Sequence, residues 1–252
     1  MAVSLADDLV SYVASKPQRV ETVFIGQAFT AVKLTSGEVG LALTPLSRFD
    51  SCIGASRLAG TFSNYNSAEL AKFFCSSHSF LRSIGLAAIN SVLQRGVKSG
   101  SDFLEGDFLD FLHAKSGDKV AMVDYYTTKI EALKETELTI FDDRFTGKRK
   151  DIPILPLSKL QEKLPEIDVV VLPPAFLNRI EEVRKYASNA REIVFVHPTI
   201  PPFPKPFFER GVTMVASMII LNPDSVLKFV MEGAGTTMFK RFCKKIVFRA
   251  KS

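Results

Sequence analysis

The sequence predicts a mixed α/β chain in which an N-terminal α+β region precedes a mainly parallel sheet with intervening helices. Three observations carry that expectation. Short apolar runs rich in β-branched residues recur in the second half, as in DVVVL at 168–172 and EIVFV at 192–196; they are too short for average helices and suit strands buried on both faces. Such runs alternate with helical patterns, and this alternation implies parallel pairing through right-handed crossovers, hence a Rossmann-like sheet. The first half instead groups its strands before its helices, which is the order of an α+β unit.

Along the chain, residues 3–15 read as a helix with Leu5, Leu9, Val10 and Val13 near one face. VETVFIG at 20–26, FTAVKLT at 29–35 and EVGLAL at 38–43 form a β-meander, the last two separated by a Thr35-Ser36-Gly37 turn. After a loop from Thr44 to Asn66, one helix starts near Ser67 as N-cap, with Glu69 in its first turn. A second runs from about Ser79 to Gln94 and stops before Gly96. Residues 96–117 mix Gly, Ser and Asp around a short helix at Phe108–His113 and form the linker between domains 1–115 and 116–252. The second domain then reads as strand 119–124, helix 127–134, strand 137–141, a loop, strand 168–172, helix 179–187, strands 192–196 and 213–220, and helix 225–231.

Composition narrows the function classes. A hydrophobic content of 46% with 23% charged residues is that of a globular chain. No apolar stretch approaches the roughly 18 residues that span a bilayer, so no membrane partner is expected. The N-terminus carries Asp7 and Asp8 within its apolar pattern, unlike a signal peptide. Three cysteines without a CxxC pair fit reduced thiols and a cytoplasmic location. Six basic residues and no acid lie between Lys240 and Lys251; this is read as a solvated helix end and edge strand, not a nucleic-acid surface. The expected partner is a small molecule, self-association is left open, and no cofactor is identified.

The chemistry is expected at the carboxyl ends of the strands, where open α/β sheets bind ligands. A GxGxxG turn is missing after the first strand of the second domain, where Asp124-Tyr125-Tyr126 stands instead; this argues against a standard dinucleotide enzyme. Asp142, one residue past Phe141, and Asp143 stand where a carboxylate can meet ribose hydroxyls, or else cap a turn. Asn178, three residues before Glu181, reads as a helix N-cap and capping box that can also face a ligand. His197, Pro198 and Thr199 end the fourth strand: His197 is the candidate general base or metal ligand and Thr199 an anion donor. The alternative is a rigid surface turn, given the five prolines between 198 and 206. In EGAGTT at 232–237, Gly233 is read as the residue after a helix C-cap, and Gly235, Thr236 and Thr237 as a small anion-binding concavity. Asn90 interrupts an apolar helix face, so its amide either braces a strand turn or points into a cleft. Cys75 and His78 in CSSH have one-turn spacing, but without a second pair a metal site is not expected and Cys75 reads as a core thiol. Cys52 is the more accessible thiol.

Residues 20–43, NSAELAKFFCSSHSFLRSIGLAAIN at 66–90 and ERGVTMVASMIILNPDSVLKFVMEGAG at 209–235 resemble the heavy-metal chelation family of prokaryotic proteins. The resemblance implies an N-terminal domain like that of enolase, a Rossmann-like second domain, and a ligand site between them. It also implies condensation or hydrolysis of flavin-, pterin- or siderophore-like molecules. The chain departs from the family pattern at Asp124-Tyr125-Tyr126, at Leu172-Pro173-Pro174-Ala175 and at His197-Pro198-Thr199. The resulting expectation is a protein that binds a small aromatic or anionic metabolite. If it is an enzyme, His197 acts as acid/base, Asp142 and Asn178 orient the ligand, and Pro198, Thr199, Gly233, Gly235, Thr236 and Asn90 line the site. The alternatives are a carrier or sensor of a metal-chelating compound, or an interaction protein with a degenerate site.

Overall fold

In the computed structural model, residues 3–45, 57–98, 102–124, 127–145, 147–149 and 151–251 are described. They group into two compact units, one of residues 1–105, 198–203 and 217–246, the other of residues 106–197, 204–216 and 247–252.

In the first unit, helix α1 (Leu5–Ala14) begins at a capping box: Ser4 Oγ accepts from the Asp7 N–H and Asp7 Oδ2 accepts from the Ser4 N–H. Strands β1 (Val20–Ile25), β2 (Phe29–Leu34) and β3 (Val39–Leu43) form the expected antiparallel meander. Helix α2 (Ser67–Ala71) is capped by Asn66, one residue before the expected N-cap, because Asn66 Oδ1 reaches two backbone donors while Glu69 closes the box. Ser67 is buried and accepts instead from the Gln18 N–H. Helix α3 (Ser79–Lys98) runs through Gly96 rather than stopping before it; Gly in an exposed turn lowers helix stability by only about 1 kcal/mol, which packing overrides.

Helix α3 lies on one face of the meander. Gly40 permits the contact, since a Cβ there would come 2.1 Å from the Ala87 carbonyl oxygen and the Ser91 nitrogen. The cluster on β2 and β3 joins Phe29, Ala31, Val39 and Leu41 to Met218, Ile220, Val226, Val230 and Phe239. Buried polar groups on α3 pair with main chain: Gln94 donates to the Met218 carbonyl at 3.0 Å and accepts from the Ile220 N–H at 2.9 Å.

The short strand β4 (Leu104–Glu105) closes the first segment of the first unit, and the second unit opens on a 3-10 turn at Phe108–Asp110. Strand β5 (Lys119–Val123), helix α4 (Thr127–Ile130) and strand β6 (Glu137–Phe141) come next. The stretch expected as a loop contains a hairpin of β7 (Gly147–Arg149) and β8 (Ile152–Leu155), then helix α5 (Leu160–Lys163). The hairpin turn places Asp151 at φ 65, and Pro153 masks the strand pattern. Strand β9 (Val169–Leu172), helix α6 (Ile180–Tyr186), strand β10 (Glu192–Val196) and helix α7 (Lys205–Phe208) lead to β11 (Met214–Ile220). Helices α8 (Pro223–Met231) and α9 (Thr236–Phe239) belong to the first unit, and strand β12 (Cys243–Arg249) passes from the first unit into the second at Val247.

The large sheet has the order β4-β12-β11-β10-β9-β5-β6-β8-β7 and is mainly parallel from β11 to β8. Every residue of β9 and of β11 is buried, which explains their unbroken apolar sequence. One core face joins Val120, Met122, Leu138, Ile140, Val169, Val171, Val194 and Met214. The basic terminal run is strand β12 in part: Lys244 pairs with Glu105 at 2.7 Å and Arg249 with Glu192 at 2.7 Å. No described helix is long and apolar enough to cross a membrane.

Candidate functional site at the carboxyl edge of the parallel sheet

From β5 the chain moves outward to β6 and β8, then returns to β9 on the other side of β5 before moving to β10 and β11. The direction reverses between β5 and β9. The carboxyl ends of two strands flanking such a reversal are the position where open α/β sheets hold ligands. Asp124 follows β5, and Pro173 and Pro174 follow β9.

Asp124 has φ 68, a left-handed conformation that Asp tolerates better than most residues because its short side chain can bond locally. Its N–H donates to the Phe141 carbonyl at 3.0 Å, tying the end of β5 to the end of β6. The next residue on β6, Asp142, is only 1% exposed. Arg144 covers it: Nε donates to Oδ1 at 2.9 Å, Nη2 to Oδ2 at 2.7 Å, and the Arg144 N–H to Oδ1 at 2.8 Å. The same Nη2 lies 3.4 Å from Asp124 Oδ1. Burial pushes the Asp124 carboxyl above its usual value; Arg144 opposes that shift and Asp142 adds to it. Two carboxylates therefore share one guanidinium, and Asp124 has the weaker hold on it.

Asp143 turns away to accept from the Leu157 N–H at 2.8 Å, which is the turn-capping role. His197 follows β10, so two strand spacings, about 10 Å, separate its backbone from that of Asp124. Its N–H donates to the Ala216 carbonyl at 3.2 Å. The imidazole is half-buried, and desolvation lowers its pKa to about 4, so it is neutral near pH 7. A neutral imidazole can bind a metal or accept a hydrogen bond, but with so low a pKa it is a weak general base.

The other candidates fall in different settings. Asn178 is exposed inside a 3-10 segment, Pro174–Arg179, and the residue preceding α6 is Arg179, without a side-chain cap. The expected capping box is therefore absent. Coiling already begins at Pro174, so Asn178 has left the extended conformation that an N-cap requires. Pro198 and Thr199 belong to the first unit, where Thr199 is fully buried. Asn90 Nδ2 donates to the carbonyls of Leu41 and Thr199, both at 2.8 Å; it braces a strand and a turn together. Asn90 Oδ1 is buried without a partner among the described residues.

Gly233 has φ 81, and the N–H groups of Gly233 and Ala234 donate to the carbonyls of Val230 and Phe229. This is a Schellman cap, as expected. Gly235 and Thr236 begin the four-residue α9. Cys75 ends a 3-10 segment and Ser76 is extended, so Cys75 and His78 do not share a helix face. Cys75 is exposed rather than a core thiol. Cys52, Tyr125 and Tyr126 lie outside the described residues. Among the described residues, no group of three or more His, Cys, Asp or Glu is placed to hold a metal ion.

Sequence reasoning passed over Asp124 and Arg144 as site residues. The signal was available as an acid where dinucleotide folds carry glycine, and as an Asp-Asp-Arg run directly after β6.

The chain is similar to two solved structures of proteins of unknown function. One, from the DUF364 family of Pyrococcus horikoshii, is 19% identical over 99% of this chain and 100% of its own, with a TM-score of 0.81. The other, from the same family in Desulfitobacterium hafniense DCB-2, is 19% identical over 98% of this chain and 97% of its own, with a TM-score of 0.79. These likenesses support the fold. No curated protein matches. A second family profile, DUF4213, described as "Putative heavy-metal chelation", matches residues 7–93. The profile of the DUF364 family, which has the same description, matches residues 107–249, more than half of the sequence, and the chain belongs to that family.

Proposed function

We propose that the protein binds a small metal-chelating metabolite at the carboxyl edge of its parallel sheet and acts as a carrier or sensor of that compound. The observation that carries this reading is the half-buried carboxylate of Asp124, in a left-handed turn at the point where the strand order reverses. The family description supplies the link to metal chelation. Asp142 contributes charge rather than direct contact, because Arg144 occupies both of its oxygens. His197 near a pKa of about 4 favours binding over acid–base turnover. The flavin-, pterin- or siderophore-like ligands implied by the family resemblance remain the class to screen.

A second reading, condensation or hydrolysis, draws on a different observation. The raised pKa of Asp124 fits a proton-transferring carboxyl better than His197 does. Incubating the protein with a metabolite extract and following the bound compounds by mass spectrometry separates the two. A carrier returns its ligand chemically unchanged. An enzyme depletes one compound and forms another, and Asp124→Asn stops that conversion.

A further inference from the structure

A cavity of about 600 Å³ lies along β6 and β8 of the second unit's sheet, with the charged groups of its lining gathered toward the amino end of β6. Beside it the two strands do not pair along their full length. Their ladder begins at Ile140 with Ile154, although β6 starts at Glu137 and β8 at Ile152. Pro153 brings no N–H to that gap. The floor is apolar: Leu133, Leu138 and Ile167 are 2%, 6% and 5% exposed. A volume of this order, with an apolar floor and a few polar groups, is typical of small-molecule sites, which span roughly 300–1,000 Å³.

The charges around the opening divide into paired and unpaired. Lys119 is satisfied by Glu166 at 3.7 Å and Lys134 by Glu131 at 3.7 Å. Lys163, Glu137 and Asp151 line the same cavity and make no side-chain ion pair or hydrogen bond among the described residues. Lys163 is half-buried and its nearest charge partner is the sequence neighbour Glu162, with which it makes no direct ion pair, whereas Glu137 and Asp151 are exposed. One unpaired cation and two unpaired anions therefore surround an apolar floor. We propose that this cleft binds a free amino acid with an apolar side chain. The side chain lies on Leu133, Leu138 and Ile167, the α-carboxylate meets Lys163, and the α-ammonium meets Glu137 or Asp151. Neither a fatty acid nor an alkylamine matches both signs of charge.

The test is calorimetric titration of the full chain with L-leucine, L-methionine and L-phenylalanine. At least one binds saturably, while glycine, which lacks the apolar body, does not. The matched half-ligands of leucine, 4-methylpentanoate and 3-methylbutylamine, bind at least tenfold more weakly. Lys163→Met lowers affinity at least tenfold, and the exposed Glu137→Gln gives a second readout should the lysine variant fold poorly. Absence of binding by all three amino acids overturns the proposal. So does equal binding of either half-ligand, or unchanged affinity in both variants.

Discussion

Asp142 and Arg144 are two residues apart, yet one is buried and the other is mostly exposed, with 64% of its side chain accessible. The guanidinium acts as a lid over a carboxylate that cannot reach water. Removing the lid takes the guanidinium from a buried carboxylate that keeps the Arg144 main-chain donor, so Arg144→Met should cost about 2–3 kcal/mol in urea unfolding at pH 7, at the lower end of buried pairs because Arg144 is exposed. Asp124 behaves in the opposite way. Its folded pKa is raised, so its charge is a penalty that appears as pH rises through the usual carboxylate range. Asp124→Asn should therefore be more stable than wild type at pH 7, with the gap closing at low pH. His197 has a depressed folded pKa, so stability is lost as pH falls from 6.5 toward 4. Up to about 3 kcal/mol is at stake at 1.36 kcal/mol per unit, and His197→Gln should flatten urea-unfolding free energies across that window.

At the scale of elements, the runs with a single reading were legible. DVVVL and EIVFV became β9 and β10, and the meander formed at its expected residues. The β7–β8 hairpin escaped because Pro153 and a charged turn interrupt its alternation, leaving no period-2 signal. Gly96 misled for a related reason: local propensity signals an end, but α3 draws its stability from the meander packed against it. Two glycines of this region should therefore respond oppositely to Ala. Gly96→Ala has room, its nearest contact being the Tyr12 hydroxyl at 3.6 Å, and should raise stability by about 0.5–1 kcal/mol. Gly40→Ala would drive a methyl into the backbone of α3 at 2.1 Å and should destabilise strongly in thermal melts. The candidate site was half legible. Strand ends pointed to Asp142 and His197, but the pairing that closes Asp142 depends on a side chain folding back over it, which spacing alone does not reveal.

For the molecule as a whole, the sequence resemblance agrees with the shared description of the two family profiles, and the solved relatives share the fold over nearly the full length. The carboxyl edge of this chain is acidic: Asp124 stands in the left-handed turn at the strand reversal, with Asp142 beneath one arginine. The central claim is that this edge binds a chelating metabolite. Its most direct measurement is native mass spectrometry with elemental analysis of freshly purified protein, alongside the Asp124→Asn and His197→Gln double variant. The wild type should carry a stoichiometric small-molecule or metal-chelate adduct that is lost from the variant. An adduct of equal occupancy on both proteins, or a wild type that stays free of ligand after incubation with a metabolite extract and divalent transition metals, would contradict it.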